Sequence, residues 1–267
     1  RPTITVGSRR SAPPPEPLAG RPPLLPITLV PTSAGTGSEA QSFALISDAR
    51  THAKMACGDR RPPGVGLRPA WAVLDPRLTR TAPPSVTAAA GLDAVSHAVE
   101  SAGSTARNDL SQRCSRAAWE LVSAGVERVC RDIGDDEARA ALLLGAHLAG
   151  AAIENAMLGG AHACANPLTA RFDVVHGLAV GLMLPHVVRI NTADGADPYA
   201  GLGSGSLPEL LERFLATARA PTRLRDVGVP RAALPELAAM AAGQWTAGFN
   251  PRPFGRDEAL RVYEAAW

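Results

Sequence analysis

Gly160-Ala161-His162-Ala163-Cys164-Ala165-Asn166-Pro167-Leu168-Thr169-Ala170-Arg171-Phe172-Asp173-Val174-Val175-His176-Gly177 is the stretch on which the reading of this chain turns. It sets two of the six histidines fourteen residues apart among small and apolar residues. An imidazole in such surroundings is either a hydrogen-bonded core group or a ligand, because an unpaired polar atom away from water is costly. The stretch alone leaves both readings open.

Upstream, Gly91-Leu92-Asp93-Ala94-Val95-Ser96-His97-Ala98-Val99-Glu100 reads as helix and places Asp93 and His97 four residues apart. That spacing stacks both side chains on one face, one turn apart. A carboxylate and an imidazole on one turn can close on a divalent cation, and two further imidazoles complete a four-ligand shell. One oxygen and three nitrogens suit Fe(II) or Zn(II) rather than calcium or magnesium.

Asp93-Ala-x-x-His97, then His162, then His176-Gly177 resembles the metal site of the iron-containing (group III) alcohol dehydrogenases. Pro31-Thr32-Ser33-Ala34-Gly35-Thr36-Gly37-Ser38-Glu39 is similar to that family's Gly/Thr-rich cofactor loop, and Asn250-Pro251-Arg252-Pro253 to its carboxy-terminal signature. The resemblance runs from about residue 24 to the end, with four motifs in the family's order. It implies an NAD(P)-dependent, metal-assisted oxidoreductase acting on a small alcohol or aldehyde. The implied ligands are Asp93, His97, His162 and His176. The implied cofactor contacts are Thr32, Ser33, Gly35, Thr36, Gly37, Ser38 and Lys54, the lysine matching one that lies near the nicotinamide ribose. The implied fold is α/β plus all-α: a remnant of a Rossmann-like nucleotide-binding domain, then an all-helical metal-binding domain, a dehydroquinate synthase-like architecture.

Two departures from the family pattern bear on chemistry. Asn166, four residues after His162, stands where many relatives carry a histidine that helps move the proton, and an amide cannot titrate. The family's Gly-rich pyrophosphate loop is absent, with about 100 residues of the usual domain length. The chain therefore reads as a truncated relative that keeps the nicotinamide half of the site.

The composition fits an ordinary globule: 267 residues, 46% hydrophobic, mean hydropathy +0.01. A net charge of +2 is too small to point to nucleic acid. Lys54 is the only lysine among 27 basic residues, and the arginines are scattered rather than striped. Cys57, Cys114, Cys130 and Cys164 form no CxxC pair, which favours a reduced, cytoplasmic setting. No apolar run reaches the ~18 to 20 residues of a membrane span, and no signal core opens the chain.

Taken in order, residues 1–23 read as a Pro/Arg-rich arm or linker. Residues 24–82 read as the partial α/β domain. Leu25–Val30 reads as a buried strand, and Phe43–Ser47 and Trp71–Leu74 as further strands, with His52 and Lys54 in a polar turn between them. Without the resemblance, the loop at 32–38 is equally a tight turn capped by Ser38, and Lys54 an exposed surface lysine. Residues 83–267 read as the helical domain, opening at Pro83-Pro84, with helices over 109–130, 137–158, 177–190, 207–219, 235–247 and 256–266. His147 and His186 read as packed or hydrogen-bonded, and Gly201–Ser206 as a connection, not a phosphate loop. A possible homodimer follows from the resemblance. The competing readings are a non-catalytic metal-binding or dimerising remnant and a glycerol-dehydrogenase or dehydroquinate-synthase-like enzyme.

Overall fold

A computed structural model of the chain describes residues 22–47, 54–203 and 205–267. The arm expected over 1–23 lies outside them except for Pro22 and Pro23, as does His52. Strands β1 (Thr28–Leu29), β2 (Phe43–Ser47), β3 (Lys54–Gly58) and β4 (Trp71–Ala72) precede eight helices. These are α1 (Pro84–Gly103), α2 (Asp109–Arg131), α3 (Asp136–Ala156), α4 (Gly160–Phe172), α5 (His176–Thr192), α6 (Leu207–Thr217), α7 (Leu234–Ala242) and α8 (Arg256–Ala266).

The helices form because their sequences supply both caps and an apolar stripe. Asn108 accepts from Ser111 N while its own backbone N–H donates to Ser111 Oγ, a reciprocal cap that removes two orphan donors of α2. The buried residues of α2, Ser111, Ser115, Ala118, Trp119, Val122, Gly125, Val126 and Val129, recur at three and four, so one face is inside. Helix α1 is buried almost all round from Thr87 to Gly103, as its run of alanine, valine and serine allows. It packs against α2, α3 and α5, and α4 packs against α5 and α7.

Glycines set the closest approaches. A Cβ at Gly177 would lie 2.0 Å from the Ala89 carbonyl oxygen and 3.3 Å from Asp93 Cβ. The first turn of α5 is thus pressed onto α1 beside Asp93, a distance that admits no side chain.

Among the described residues the strands make two separate pairs. β1 and β4 run parallel, with Thr28 opposite Trp71, and β2 and β3 form an antiparallel hairpin with Phe43 opposite Gly58 and Ser47 opposite Lys54. Two expectations are corrected here. Lys54 opens a strand instead of lying in a turn, because the hairpin register pairs it with Ser47. The strand expected over 25–30 is not buried: Leu25 is 87% and Val30 45% exposed, since β1 has one neighbour, β4, and parallel strands are covered only where helices or further strands flank them.

This small α/β portion is fastened to the helices by buried polar contacts. The Glu154 carboxylate of α3 accepts from Ser42 N at 3.0 Å and Ser42 Oγ at 2.6 Å, and the buried Arg139 guanidinium donates to the Thr79 carbonyl at 2.7 Å. Gly37, at φ 57°, meets Gly150 of α3 backbone to backbone. No single described helix is long and apolar enough to cross a membrane; α3 and α4 pass that test only jointly, with a 106° bend between them.

Candidate metal centre

Helix α4 occupies Gly160–Phe172, outside the helices expected from sequence, and His162 is its third residue. His176 is the first residue of α5, directly before the glycine that lets this helix touch α1. Asp93 and His97 lie one turn apart on α1, where the i,i+4 spacing places them. The turns that carry these residues therefore meet at one point.

That point is Asp93 Oδ1. His97 Nε2 lies 3.3 Å from it, His162 Nε2 3.6 Å and His176 Nε2 3.9 Å. The His97 and His162 rings stack with centroids 5.0 Å apart, and His162 and His176 are tilted at 5.3 Å. Asp93, His162 and His176 each offer one donor atom within 4.8 Å of the others; His97 falls outside that mutually close set, although its Nε2 is the nitrogen nearest Asp93 Oδ1. Four donors at about 2.0–2.2 Å from a tetrahedral zinc or iron are about 3.3–3.6 Å from one another; His97 Nε2 and His162 Nε2 stand within that range of Asp93 Oδ1, and His176 Nε2 lies just beyond it.

The hydrogen-bond ledger agrees. Asp93 Oδ1, His162 Nε2 and His97 Nδ1 are buried and have no hydrogen-bond partner. Buried polar atoms are almost always paired, so two orphans facing each other across a donor cluster fit an ion between them. Three imidazoles and a carboxylate are a donor set for Fe(II) or Zn(II).

Glu100, which the motif reading quoted but gave no role, supports His162 from behind. Its Oε2 accepts from His162 Nδ1 and its Oε1 accepts from Ala161 N at 2.7 Å. With the proton fixed on Nδ1, Nε2 is the nitrogen turned towards Asp93, the carboxylate–histidine support common behind metal ligands. The signal was present in the sequence: Glu100 lies seven residues after Asp93, two turns along the same face.

Electrostatics follow from this crowding. Burial disfavours the His162 cation, but Glu100 and Asp93 together outweigh it and raise its pKa to about 9. Burial likewise opposes the Asp93 carboxylate, yet His97, His162 and His176 hold it well below the ordinary range. His97 is pushed down, chiefly by burial, against the pull of Asp93.

The loop at 32–38 divides in two. Thr32, Ser33, Thr36 and Ser38 are exposed, while Gly35 and Gly37 are buried against helices: a Cβ at Gly35 would meet Ala90 of α1 at 2.9 Å. The Gly35 backbone lies beside His97, which brings this loop to the edge of the cluster. The alternative of a turn capped by Ser38 is not what forms: Gly37 is the N-cap of a short 3-10 turn, Ser38–Ala40, with no side-chain cap. Lys54 is placed on β3, and its side chain is outside the described residues. Asn166 donates from Nδ2 to Gln244 Oε1 at 3.1 Å. His147 Nδ1 pairs with Glu39 Oε1 at 3.2 Å.

Residues 87–267 match the profile described as Fe-containing alcohol dehydrogenase family, C-terminal. The long-chain-alcohol dehydrogenase 1 of Geobacillus thermodenitrificans is 34% identical over 264 residues, covering 91% of this chain and 64% of the relative. The lactaldehyde reductase of Escherichia coli K12 is 31% identical, covering 92% of this chain and 66% of the relative. Among solved structures, a 1,3-propanediol oxidoreductase superposes with TM-score 0.84 at 30% identity over 92% of this chain and 67% of its own. The sulfoacetaldehyde reductase of Bifidobacterium kashiwanohense, solved in complex with NAD+, gives TM-score 0.83 at 25% identity over 93% of this chain and 67% of its own. The chain thus spans just under two thirds of the length of these curated relatives. With a family profile across all its long helices and that superposition over its described length, the chain belongs to the Fe-containing alcohol dehydrogenase family.

Proposed function

We propose that this chain carries the metal centre of an NAD(P)-linked oxidoreductase that interconverts a small alcohol and its aldehyde. The observation that carries this is the convergence of three imidazole nitrogens on the buried, unpaired Oδ1 of Asp93. Asp93, His97, His162 and His176 would hold Fe(II) or Zn(II). A bound divalent cation stabilises the negative charge that builds on a substrate oxygen as hydride leaves or reaches carbon, an effect of several kcal/mol.

The remaining work falls to the chain's own groups. Glu100 fixes the His162 tautomer and ring plane, which keeps Nε2 aimed at the shared point. Burial of Asp93, His97 and His162 excludes water and so strengthens every charge interaction there. The exposed hydroxyls of Thr32, Ser33, Thr36 and Ser38 are the groups offered to the nicotinamide half of a dinucleotide, and the buried glycines hold that loop against the helices. The Asn166–Gln244 pair cannot carry a proton, so proton transfer at this position runs through water or a substrate or ribose hydroxyl.

The chain's coverage of its relatives favours a second reading, a metal-binding portion that needs the rest of the nucleotide domain for turnover. Metal analysis of the purified chain combined with NADH titration by fluorescence separates the two. Stoichiometric iron or zinc with nicotinamide binding supports the oxidoreductase; metal without nucleotide binding supports the second reading. His176→Ala lowers bound metal sharply with helicity nearly unchanged, and unaltered metal content counts against the centre.

A further inference from the structure

Helix α4 has no cap of its own. Its N-cap is Gly159, which makes no side-chain capping bond. Its leading N–H groups are instead satisfied by remote side chains: Gly160 N donates to Asn250 Oδ1 at 3.2 Å, and Ala161 N to Glu100 Oε1 at 2.7 Å. Both acceptors press so closely that a Cβ at Gly159 would lie 3.1 Å from Glu100 Oε1 and 3.2 Å from Asn250 Oδ1. Phe254 covers Gly160 in the same way, at 2.8 Å. The segment from Asn250 to Phe254 is thus wrapped over the turn that leads into His162.

Asn250 is itself held on its other sides. Its Oδ1 also accepts from Asn191 Nδ2 at 3.0 Å, and its Nδ2 donates to Asn191 Oδ1 at 2.8 Å and to the Arg252 carbonyl at 2.9 Å. Asn191 Nδ2 donates to Tyr199 Oη at 2.7 Å. Asn191, Asn250 and Tyr199 are all buried, and Tyr199 packs on Gly103, where a Cβ would meet its ring at 2.6 Å. One amide network therefore ties the last residue of α1, the last turn of α5 and the first turn of α4. Those three helices carry Asp93 and His97, His176, and His162.

We propose that Asn250, locked by Asn191 and Tyr199, is a positioning residue for the metal centre, setting where the first turn of α4 stands and with it His162 Nε2. The inference rests on the metal reading above. It differs from a merely structural role because a buried amide pair that only filled space would leave the coordination geometry unchanged when trimmed. Here trimming Asn250 frees the Gly160 N–H while Glu100 still grips Ala161 and His162, so the first turn of α4 keeps one of its two side-chain anchors and shifts about it.

The test is Co(II) titration of the chain, read by visible absorption, for the parent, Asn250→Ala and Asn191→Ala, with circular dichroism on each. The expected result for Asn250→Ala is parental helicity, Co(II) affinity reduced by about ten- to a hundredfold, and a shifted or weakened band, the scale seen when groups behind a ligand are removed. Asn191→Ala, which leaves the Gly160 contact but unlocks the amide, shows a smaller loss in the same direction. Parental affinity and band for Asn250→Ala overturn the proposal. Where Asn250→Ala loses helicity, Asn191→Ala decides by the same criterion. A parent chain with no Co(II) band overturns the metal reading itself, which is a separate outcome.

Discussion

Replacing Gly177 with alanine tests whether the contact between α1 and α5 builds the centre. The new Cβ would lie 2.0 Å from the Ala89 carbonyl oxygen and 2.7 Å from its carbon. Ordinary contact begins near 3.4 Å, so the start of α5 must retreat by more than an ångström; both atoms are backbone and neither can rotate away. Alanine gains up to about 1 kcal/mol of helix propensity over glycine, whereas overpacking costs about 1–3 kcal/mol, and a backbone clash belongs at the upper end. The net loss of about 1–2 kcal/mol lowers Tm by roughly 2–8 °C for a chain of this size. His176 precedes Gly177 and moves with it, so its 3.9 Å separation from Asp93 Oδ1 opens. Ligand distances tolerate about 0.2 Å, so metal affinity falls by more than the stability change alone explains. Gly181→Ala is the control on the same helix pair, since its Cβ would meet Leu92 at a milder 3.2 Å. Differential scanning calorimetry and zinc titration of both variants check this. Equal Tm and equal zinc affinity in parent and Gly177→Ala would refute the reasoning.

How much of this was legible depended on whether a signal was local. Asp93 and His97 could be read because an i,i+4 pair declares its own geometry, and Gly177 because it adjoins a candidate ligand. Helix α4 was illegible: it opens on Gly159-Gly160, contains Pro167, and takes its caps from Glu100 and Asn250, about sixty and ninety residues away. Lys54 reads as part of a polar turn because Lys-Met-Ala-Cys-Gly, which it opens, lacks β-branched residues; it lies on a strand by virtue of pairing with β2. Gly35 and Gly37 are among the cofactor contacts the resemblance implies, and each also lies against a helix, Gly35 on Ala90 and Gly37 on Gly150. A glycine reports that something approaches closely, and only the tertiary structure says what.

Two further predictions concern charge at the centre. Glu100→Gln keeps the shape but removes the carboxylate that holds His162 Nδ1, and should weaken zinc binding about tenfold or more with little change in fold, measured by competition with a chromophoric chelator. The second is a pH dependence. In the metal-free protein His162, raised to about 9, is a cation at pH 7, so an ion that takes Nε2 must displace a proton. Zinc affinity therefore rises with pH from 7 to about 9, and calorimetry in buffers of different ionisation enthalpy shows close to one proton released at pH 7. For stability the sign is opposite: a histidine whose folded pKa lies above its unfolded value stabilises the metal-free fold fully below about 6.5, and that contribution is lost as pH climbs to about 9. His97, whose pKa is lowered by burial, acts the other way and destabilises the fold as pH drops below about 6.5. Metal-free melting temperatures should peak near neutrality and fall towards pH 9, and bound zinc should abolish the alkaline decline. An alkaline decline that persists in saturating zinc would mean that the His162 proton and the metal do not compete for the same nitrogen.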